Sequence, residues 1–433
     1  MKMLSAINPV TGVAIAEYPA MDDAAAWRAV DEAAKAQAQW AATSLAERSA
    51  CLRRAGDILQ TRKEELARLA TLEMGKPVGQ GRAEVEKCAL ACEYNAHNAG
   101  EFLRPETNAV PVGRCYSALR PLGVIALIMP WNFPYWQVIR VVAPLLMVGN
   151  GIVVKHASNV PGCAAAIGEG FAGCGLPEGL VANLPIGAQQ ALHLLEHPAI
   201  RGVSVTGSEG AGRAVAARAG QLLKKTVMEL GGADPFIILE DADLAKAAKV
   251  GAQARCVNSG QSCAAAKRFI VVDAVYDAFL KRLKDEMAAF HVGAPMDETT
   301  QIGPLARTDL RDELHEQVRK SVAAGAALGL GGEVPAGAGA YYPPTSLADV
   351  RPGQAAWSEE LFGPVAVVIR ARDEEHALAI ANDTAFGLGA SIWTRDVPRA
   401  ERMAARVEAG SVSINRMVAG DPRVPFGGVK NSG

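Results

Sequence analysis

The sequence predicts an α/β fold of two lobes, each a mainly parallel sheet with helices on both faces. Three observations carry this. Residues 122 to 212 run strand, turn and helix in repetition, a second series of the same kind starts at Pro235, and 433 residues suffice for two sizeable cores. Strands buried on both faces read as unbroken apolar runs, which is the character of the strands in the first series.

Taken in order, residues 22 to 100 read as helices rich in Ala, Glu, Arg and Leu. Asp22-Asp23 offers a capping start and Met74-Gly75-Lys76-Pro77 a break. Residues 101 to 121 place Pro105, Pro111, Gly113 and Pro121 among alternating apolar positions, which predicts a projecting β-hairpin suited to contact between subunits. Leu122 to Met129 is an apolar strand ending in Pro130-Trp131-Asn132-Phe133-Pro134, with a helix from Tyr135 to Leu146 behind it. Ile152 to Val154 is the next strand; it ends at Lys155-His156-Ala157-Ser158 and feeds a helix from Gly162 to Ala172. Gly202 to Val205 runs into Thr206-Gly207-Ser208 and a further helix. The second series takes in strands at Pro235 to Leu239 and Arg268 to Val272, helices at 243–256, 275–290 and 308–324, and a strand after Glu360-Leu361-Phe362-Gly363-Pro364. No internal repeat is found.

Composition narrows the function. An apolar share of 50% and a charged share of 21% are those of a soluble globular enzyme. A net charge of −2, with no basic block longer than a pair such as Lys224-Lys225, argues against nucleic acid as a partner. Met1 to Pro9 lacks the apolar core of a signal peptide, and Val141 to Val154 is broken by Pro144, Gly149, Asn150 and Gly151 well short of a membrane span. Eight cysteines without a framework spacing suit a reducing cytosol, so a cytoplasmic protein is expected. Cys88 and Cys92 stand one helical turn apart with no second pair to complete a zinc set. His193-Leu194-Leu195-Glu196-His197 matches a metalloprotease string but sits at a helix end before Pro198, where cationic side chains meet the dipole. No metal is expected.

The chemistry concentrates between Glu229-Leu230-Gly231-Gly232 and Asn258-Ser259-Gly260-Gln261-Ser262-Cys263. A cysteine attacks through its thiolate and needs a base at hand, a part Glu229 can take. Singly, the bland readings compete: a cysteine as a small buried hydrophobe, a Glu-Leu-Gly-Gly string that ends a strand, Asn132 as a turn former, Lys155 as a snorkelling strand end, Glu360 as a solvated charge. Gly231, Gly232 and Gly260 are expected to let a flat ligand or a substrate approach the backbone. In doubly wound sheets ligands gather at the carboxyl ends of strands, where Asn132, Lys155, Gly207 and Glu229 all fall. Gly207-Ser208 at a helix start suits a phosphate, without the usual glycine fingerprint.

Seven motifs in order make the sequence resemble the NAD(P)-dependent aldehyde dehydrogenase superfamily from about Asn8 to the end: Pro-Trp-Asn-Phe-Pro, Lys155, Thr206-Gly207-Ser208, Glu229 to Gly232, Gly260 to Cys263, Glu360 to Pro364 and Pro425 to Gly428. The resemblance implies two Rossmann-like lobes. The NAD(P)-binding domain would comprise 1–100 and 122–230, the oligomerisation hairpin 101–121, and the catalytic domain 231–433, with a C-terminal oligomerisation strand expected to be missing. It also implies Cys263 as nucleophile, Glu229 as the base that activates water, and Asn132 with the Cys263 N–H as oxyanion donors. Lys155 and Ser158 would lie on the adenosine ribose, Ser208 with Gly207 near the pyrophosphate, and Glu360 on the nicotinamide ribose. Met129, Trp131, Thr206, Leu230 and Phe362 would line the cofactor pocket, and the expected assembly is a homodimer or a dimer of dimers.

Arg140 lies mid-helix, eight residues beyond Asn132, among apolar neighbours. Burying a guanidinium calls for a carboxylate, and two partners are open: an internal acid, or the far end of a dicarboxylic semialdehyde. An Arg here, with Trp136 expected in the same substrate site, resembles the substrate-carboxylate Arg of succinate-semialdehyde dehydrogenases, and the short N-terminus with the Arg255-Cys256-Val257-Asn258 run looks most like the bacterial branch of that activity. The second substrate arginine of the better-known branch would fall at Val257, which leaves glutarate semialdehyde or another short aldehyde as alternatives. Ser158 does not repel a 2′-phosphate, so NAD or NADP is expected. Ala265 excludes a redox partner next to Cys263. A nucleotide-free hydrolase, an inactive binding homologue and a phosphorylating or CoA-acylating variant are the rival readings; Glu229 points to water as acceptor.

Overall fold

The computed structural model describes residues 2–111 and 113–433. The chain divides into two compact units: residues 1–7, 14–73 and 79–227 form the first, and residues 8–13, 74–78 and 228–433 the second. The short segments 8–13 and 74–78, which the sequence reading left in the first lobe, thus fall with the second.

In the first unit a five-stranded sheet has the order Val181–Asn183, Gly151–His156, Val124–Met129, Ile200–Thr206, Lys225–Glu229. Val124–Met129 runs parallel to both its neighbours, pairing Met129 with His156 and Ile128 with Val205, so its end and those of its neighbours lie side by side. β-branched and apolar side chains fill both faces, and Leu127, Ile152 and Val205 are fully buried. Helices Trp136–Val148, Pro161–Ala172 and Glu209–Gln221 follow the strands as expected. Trp136–Val148 ends on Gly149 at φ 105°, the left-handed stop that glycine supplies without strain. Asp22 caps helix Asp23–Ala41 through a bond from the Ala25 N–H, and Ser44 with Glu47 forms a capping box on Leu45–Thr61.

A hairpin of Met3–Ile7 with Ala14–Pro19, half-exposed and apolar only in patches, was not legible in the sequence. The hairpin expected at 101–121 narrows to Glu106–Asn108 against Cys115–Ser117, with all six strand residues exposed. Val112, within that stretch, lies outside the described residues.

The second unit holds a seven-stranded sheet in the order Ala327–Leu330, Thr345–Ala348, Val365–Ala371, Arg268–Val272, Pro235–Ile238, Gly389–Trp393, Ser411–Ile414; only the first pair is antiparallel. Strand period sorts its core. Phe236, Ile238, Phe269 and Val271 pack with Phe279 and Leu283 on one face, while Ile237, Ile270 and Ile369 pack with Leu314, Val318 and Leu378 on the other. Val429–Lys430 pairs with Phe386–Gly387, which brings the last residues beside the turn after Glu229.

Candidate active site

In the first unit the expected residues cluster at strand ends. Met129 closes its strand and is buried; the turn that follows carries half-buried Trp131 and places Asn132 at 4% exposure. Two groups that the sequence reading passed over hold this turn. His156 Nε2 donates to the Pro134 carbonyl at 2.9 Å, while its Nδ1 accepts the Ala157 N–H at 2.8 Å. Those two bonds fix one neutral tautomer, and full burial pushes the imidazole down to about 4. Glu84 accepts the Tyr135 and Trp136 N–H groups at 2.8 and 2.9 Å, a carboxylate at a helix N-terminus that has no capping side chain of its own.

That helix carries Trp136 and Arg140. The Lys87 ammonium lies 3.9 Å from the Trp136 ring centroid, and Arg140 donates through Nε to Gln137 and through a terminal nitrogen to Thr206 Oγ1 at 3.0 Å. Thr206 is buried and Gly207 follows it. Ser208 spends its hydroxyl capping Glu209–Gln221, accepting the Ala211 N–H, so it offers a phosphate backbone N–H groups at a helix start more than a side chain. Ser158 is exposed. Lys155 is half-buried, burial lowers its ammonium below the usual lysine range, and among the described residues no group pairs with it. A cation at a strand end without a protein partner fits the hydroxyls or phosphate of a nucleotide.

In the second unit the Cys263 loop is shaped by three successive left-handed residues, Asn258 at φ 54°, Ser259 at φ 54° and Gly260 at φ 78°. Asn258 Nδ2 donates to the Gln261 carbonyl at 3.1 Å, Gln261 Oε1 accepts the Ala306 N–H, and the fully buried Arg255 donates to the Gly260 carbonyl at 2.5 Å. Burial brings that guanidinium down to about 10. Cys263 is half-buried, whereas Cys256, seven residues earlier, is sealed and its thiol pushed up to about 12 by burial.

The three glycines lie tight against other parts of the protein. A Cβ on Gly260 would overlap the Gly363 carbonyl and lie 2.5 Å from Pro364 N. One on Gly232 would come within 2.7 Å of the Cys263 carbonyl oxygen, and one on Gly231 would collide with the Glu360 carboxylate. The glycine turn after Glu229 therefore lies directly against both the cysteine loop and Glu360. Glu229 and Leu230 are buried at 7% and 8% exposure. The Leu230 N–H donates to the Ser432 carbonyl, and Ser432 Oγ donates to the Gly231 carbonyl at 2.6 Å.

Glu360 Oε1 accepts the Gly232 N–H at 3.0 Å and meets Lys267 Nζ at 3.1 Å; Phe362 sits near the same ammonium, 6.0 Å to its ring centroid. Close by, Asp234 is wholly buried and accepts the Gly389 N–H; desolvation outweighs Lys267 and raises its carboxyl to about 7. Nothing in the spacing of Lys267, Glu84 or Ser432 had marked them.

The histidine string serves packing. His193 pairs with Glu196, His197 pairs with Asp31, and both rings lie against Trp27. Among the described residues no set of three or more His, Cys, Asp or Glu could hold a metal, and no helix is long and apolar enough to cross a membrane.

The chain matches the aldehyde dehydrogenase family over residues 1–433. It is 48% identical over 427 residues to a protein of Escherichia coli K12 named succinate semialdehyde dehydrogenase, NAD(P)+, covering 99% of this chain and 92% of the relative. A Synechocystis protein named probable succinate-semialdehyde dehydrogenase, NADP(+), is 46% identical over 430 residues, covering 99% and 95%. The solved structure of succinic semialdehyde dehydrogenase from Streptococcus pyogenes in complex with NADP+ has a TM-score of 0.97 and 35% identity over 99% of this chain and 94% of that one.

Proposed function

Because the chain belongs to the aldehyde dehydrogenase family, we propose that it oxidises succinate semialdehyde to succinate with NAD+ or NADP+. What carries this reading is the relationship itself, 48% identity over 99% of the chain to a protein of that name.

In this reading the Cys263 thiolate attacks the aldehyde carbon, and the carbonyl electron pair moves onto oxygen. The Asn132 amide and the Cys263 N–H hold the resulting oxyanion; preorganised donors of this kind are each worth about 3 kcal/mol of barrier. The nicotinamide, when bound, supplies the hydride acceptor that leaves a thioester on the sulfur. Glu229 takes the proton of a water that attacks the thioester, and succinate departs as the thiol is restored. Lys155 and Ser158 would hold the adenosine ribose, the Gly207-Ser208 turn the pyrophosphate, and Glu360 the nicotinamide ribose, with Met129, Trp131, Thr206, Leu230 and Phe362 along the pocket. The Lys155 ammonium at its strand end, unpaired among the described residues, supports that fit, and the exposed, neutral Ser158 admits a 2′-phosphate.

Arg140 and Trp136 form the substrate pair of this proposal. The guanidinium donates to Gln137 and Thr206, two neutral oxygens that orient it. A panel of aldehydes against both cofactors tests the assignment directly. Arg140→Ala should raise KM for succinate semialdehyde about 10- to 100-fold, the loss of a charged hydrogen bond, and leave a neutral aldehyde of the same length nearly unchanged. Equal effects on the two would overturn it. The exposed hairpin of Glu106–Asn108 and Cys115–Ser117 is proposed as the contact of a homodimer or a dimer of dimers, and the cytosol as the compartment, in keeping with eight cysteines of which none forms a disulfide among the described residues.

A further inference from the structure

Lys267 is 2% exposed, and its ammonium has three acceptors: the Ser262 carbonyl at 3.0 Å, the Cys263 carbonyl at 2.6 Å and Glu360 Oε1 at 3.1 Å. A lysine so deeply buried is costly unless all three of its protons are used, and here they are. What the three acceptors have in common is the chemistry proposed above. The Ser262 carbonyl and the Cys263 N–H are opposite ends of one peptide plane, and no cis peptide occurs among the described residues. In a trans peptide those groups point in opposite directions. A cation drawing the Ser262 oxygen toward itself therefore turns the Cys263 N–H the other way. It also polarises the peptide, which makes that N–H a stronger donor. The same ammonium holds the carboxylate of Glu360, whose other bond comes from the Gly232 N–H in the turn that abuts the Cys263 carbonyl.

We propose that Lys267 is a positioning residue for two parts of the reaction at once: it orients and polarises the Cys263 peptide as an oxyanion donor, and it pins Glu360 for the cofactor's ribose. The second half rests on the assignment of Glu360 above; the first rests on Cys263 alone. Lys267 touches neither substrate nor sulfur. The cysteine loop and the cofactor carboxylate are thus tied through one charge, so a displacement of either is felt by the other.

The two halves separate experimentally. p-Nitrophenyl acetate acylates a reactive thiol through the same kind of oxyanion, releasing p-nitrophenolate and leaving a thioester, with no nucleotide present. Binding of NADP+ is read independently by quenching of protein fluorescence. Lys267→Met should slow the p-nitrophenolate burst about tenfold, less than loss of a whole oxyanion donor, and weaken NADP+ binding about tenfold. Lys267→Arg, which keeps the charge, should recover part of both; Lys267→Gln, with a neutral donor, should recover less. A correctly folded Lys267→Met with a burst rate within twofold of the unaltered enzyme overturns the proposal, as does equal recovery by Gln and Arg. Should the Met variant not fold, the Arg-to-Gln ratio of burst rates decides by the same criterion. Glu360→Gln judges the underlying assignment separately. If it leaves NADP+ affinity unaltered, the ribose role of Glu360 fails, while the nucleotide-free burst still tests Lys267.

Discussion

Acid should loosen the turn that carries Asn132, and His156 sets the size of the effect. Its Nε2–H is committed to the Pro134 carbonyl and its Nδ1 lone pair to the Ala157 N–H, so a second proton has nowhere to go without breaking a bond 2.8 Å long. Full burial lowers the folded-state value to about 4, against roughly 6.5 in an unfolded chain. The unfolded chain therefore takes up a proton below about pH 6.5 that the folded chain refuses until about pH 4. Stability falls as pH drops through that window, and the loss is complete below it. About 2.5 units at 1.36 kcal/mol each make this about 3 kcal/mol in all, of which about 1 kcal/mol is lost between pH 6.5 and 5.5. His156→Gln keeps an amide donor for Pro134 and cannot titrate. Two units need not unfold as one, so the assay should be local: hydrogen exchange of peptides from residues 124–150 at pH 7.0, 5.5 and 4.5. The unaltered protein should lose protection there with acid far more steeply than His156→Gln. Parallel losses in the two proteins would refute the argument.

Two further perturbations test the second unit. Glu229→Gln removes the base that the proposed deacylation needs, so one equivalent of reduced nicotinamide should appear in a burst while steady turnover falls about 10²- to 10⁴-fold; an unchanged steady rate would contradict the role given to Glu229. Gly260→Ala puts a side chain at φ 78° where the Gly363 carbonyl and Pro364 nitrogen already stand, and neither is a flexible side chain that can swing away. Left-handed strain and overpacking together cost about 3 kcal/mol, to be seen as a lower urea midpoint and a changed rate of Cys263 alkylation by iodoacetamide; a midpoint equal to the unaltered protein's would show that the loop yields more easily than its contacts imply.

Strands and the residues that end them were legible because burial on both faces writes an unbroken apolar run, and such a run stops where chemistry begins. Asn132, Lys155 and Gly207 could be located that way from the sequence alone, whereas Glu229 ends Lys225–Glu229, a mostly exposed strand without such a run. The hairpin Met3–Ile7 with Ala14–Pro19 was missed for the converse reason: most of its residues are exposed or half-buried, and its alternation is too weak to separate from a loop. The glycines mark where a side chain is forbidden, but the sequence does not say which protein groups stand there.

The supports of the site are a different matter. His156 reaches a carbonyl 22 residues back, Glu84 caps a helix 52 residues ahead, and Lys267 meets a carboxylate three strands and three α-helices further along the chain. None of these contacts has a local periodicity. What betrays each of them is energetic: a charged or titratable group in a buried position must find partners, because an unpaired one costs more than the fold has to spare. Lys267 in Ala264-Ala265-Ala266-Lys267 stands four residues past Cys263 and directly before the apolar strand Arg268–Val272. Its partners are two carbonyls and Glu360, and under the proposed roles of Cys263 and Glu360 charge at position 267 is the quantity on which both oxyanion donation and ribose binding would depend.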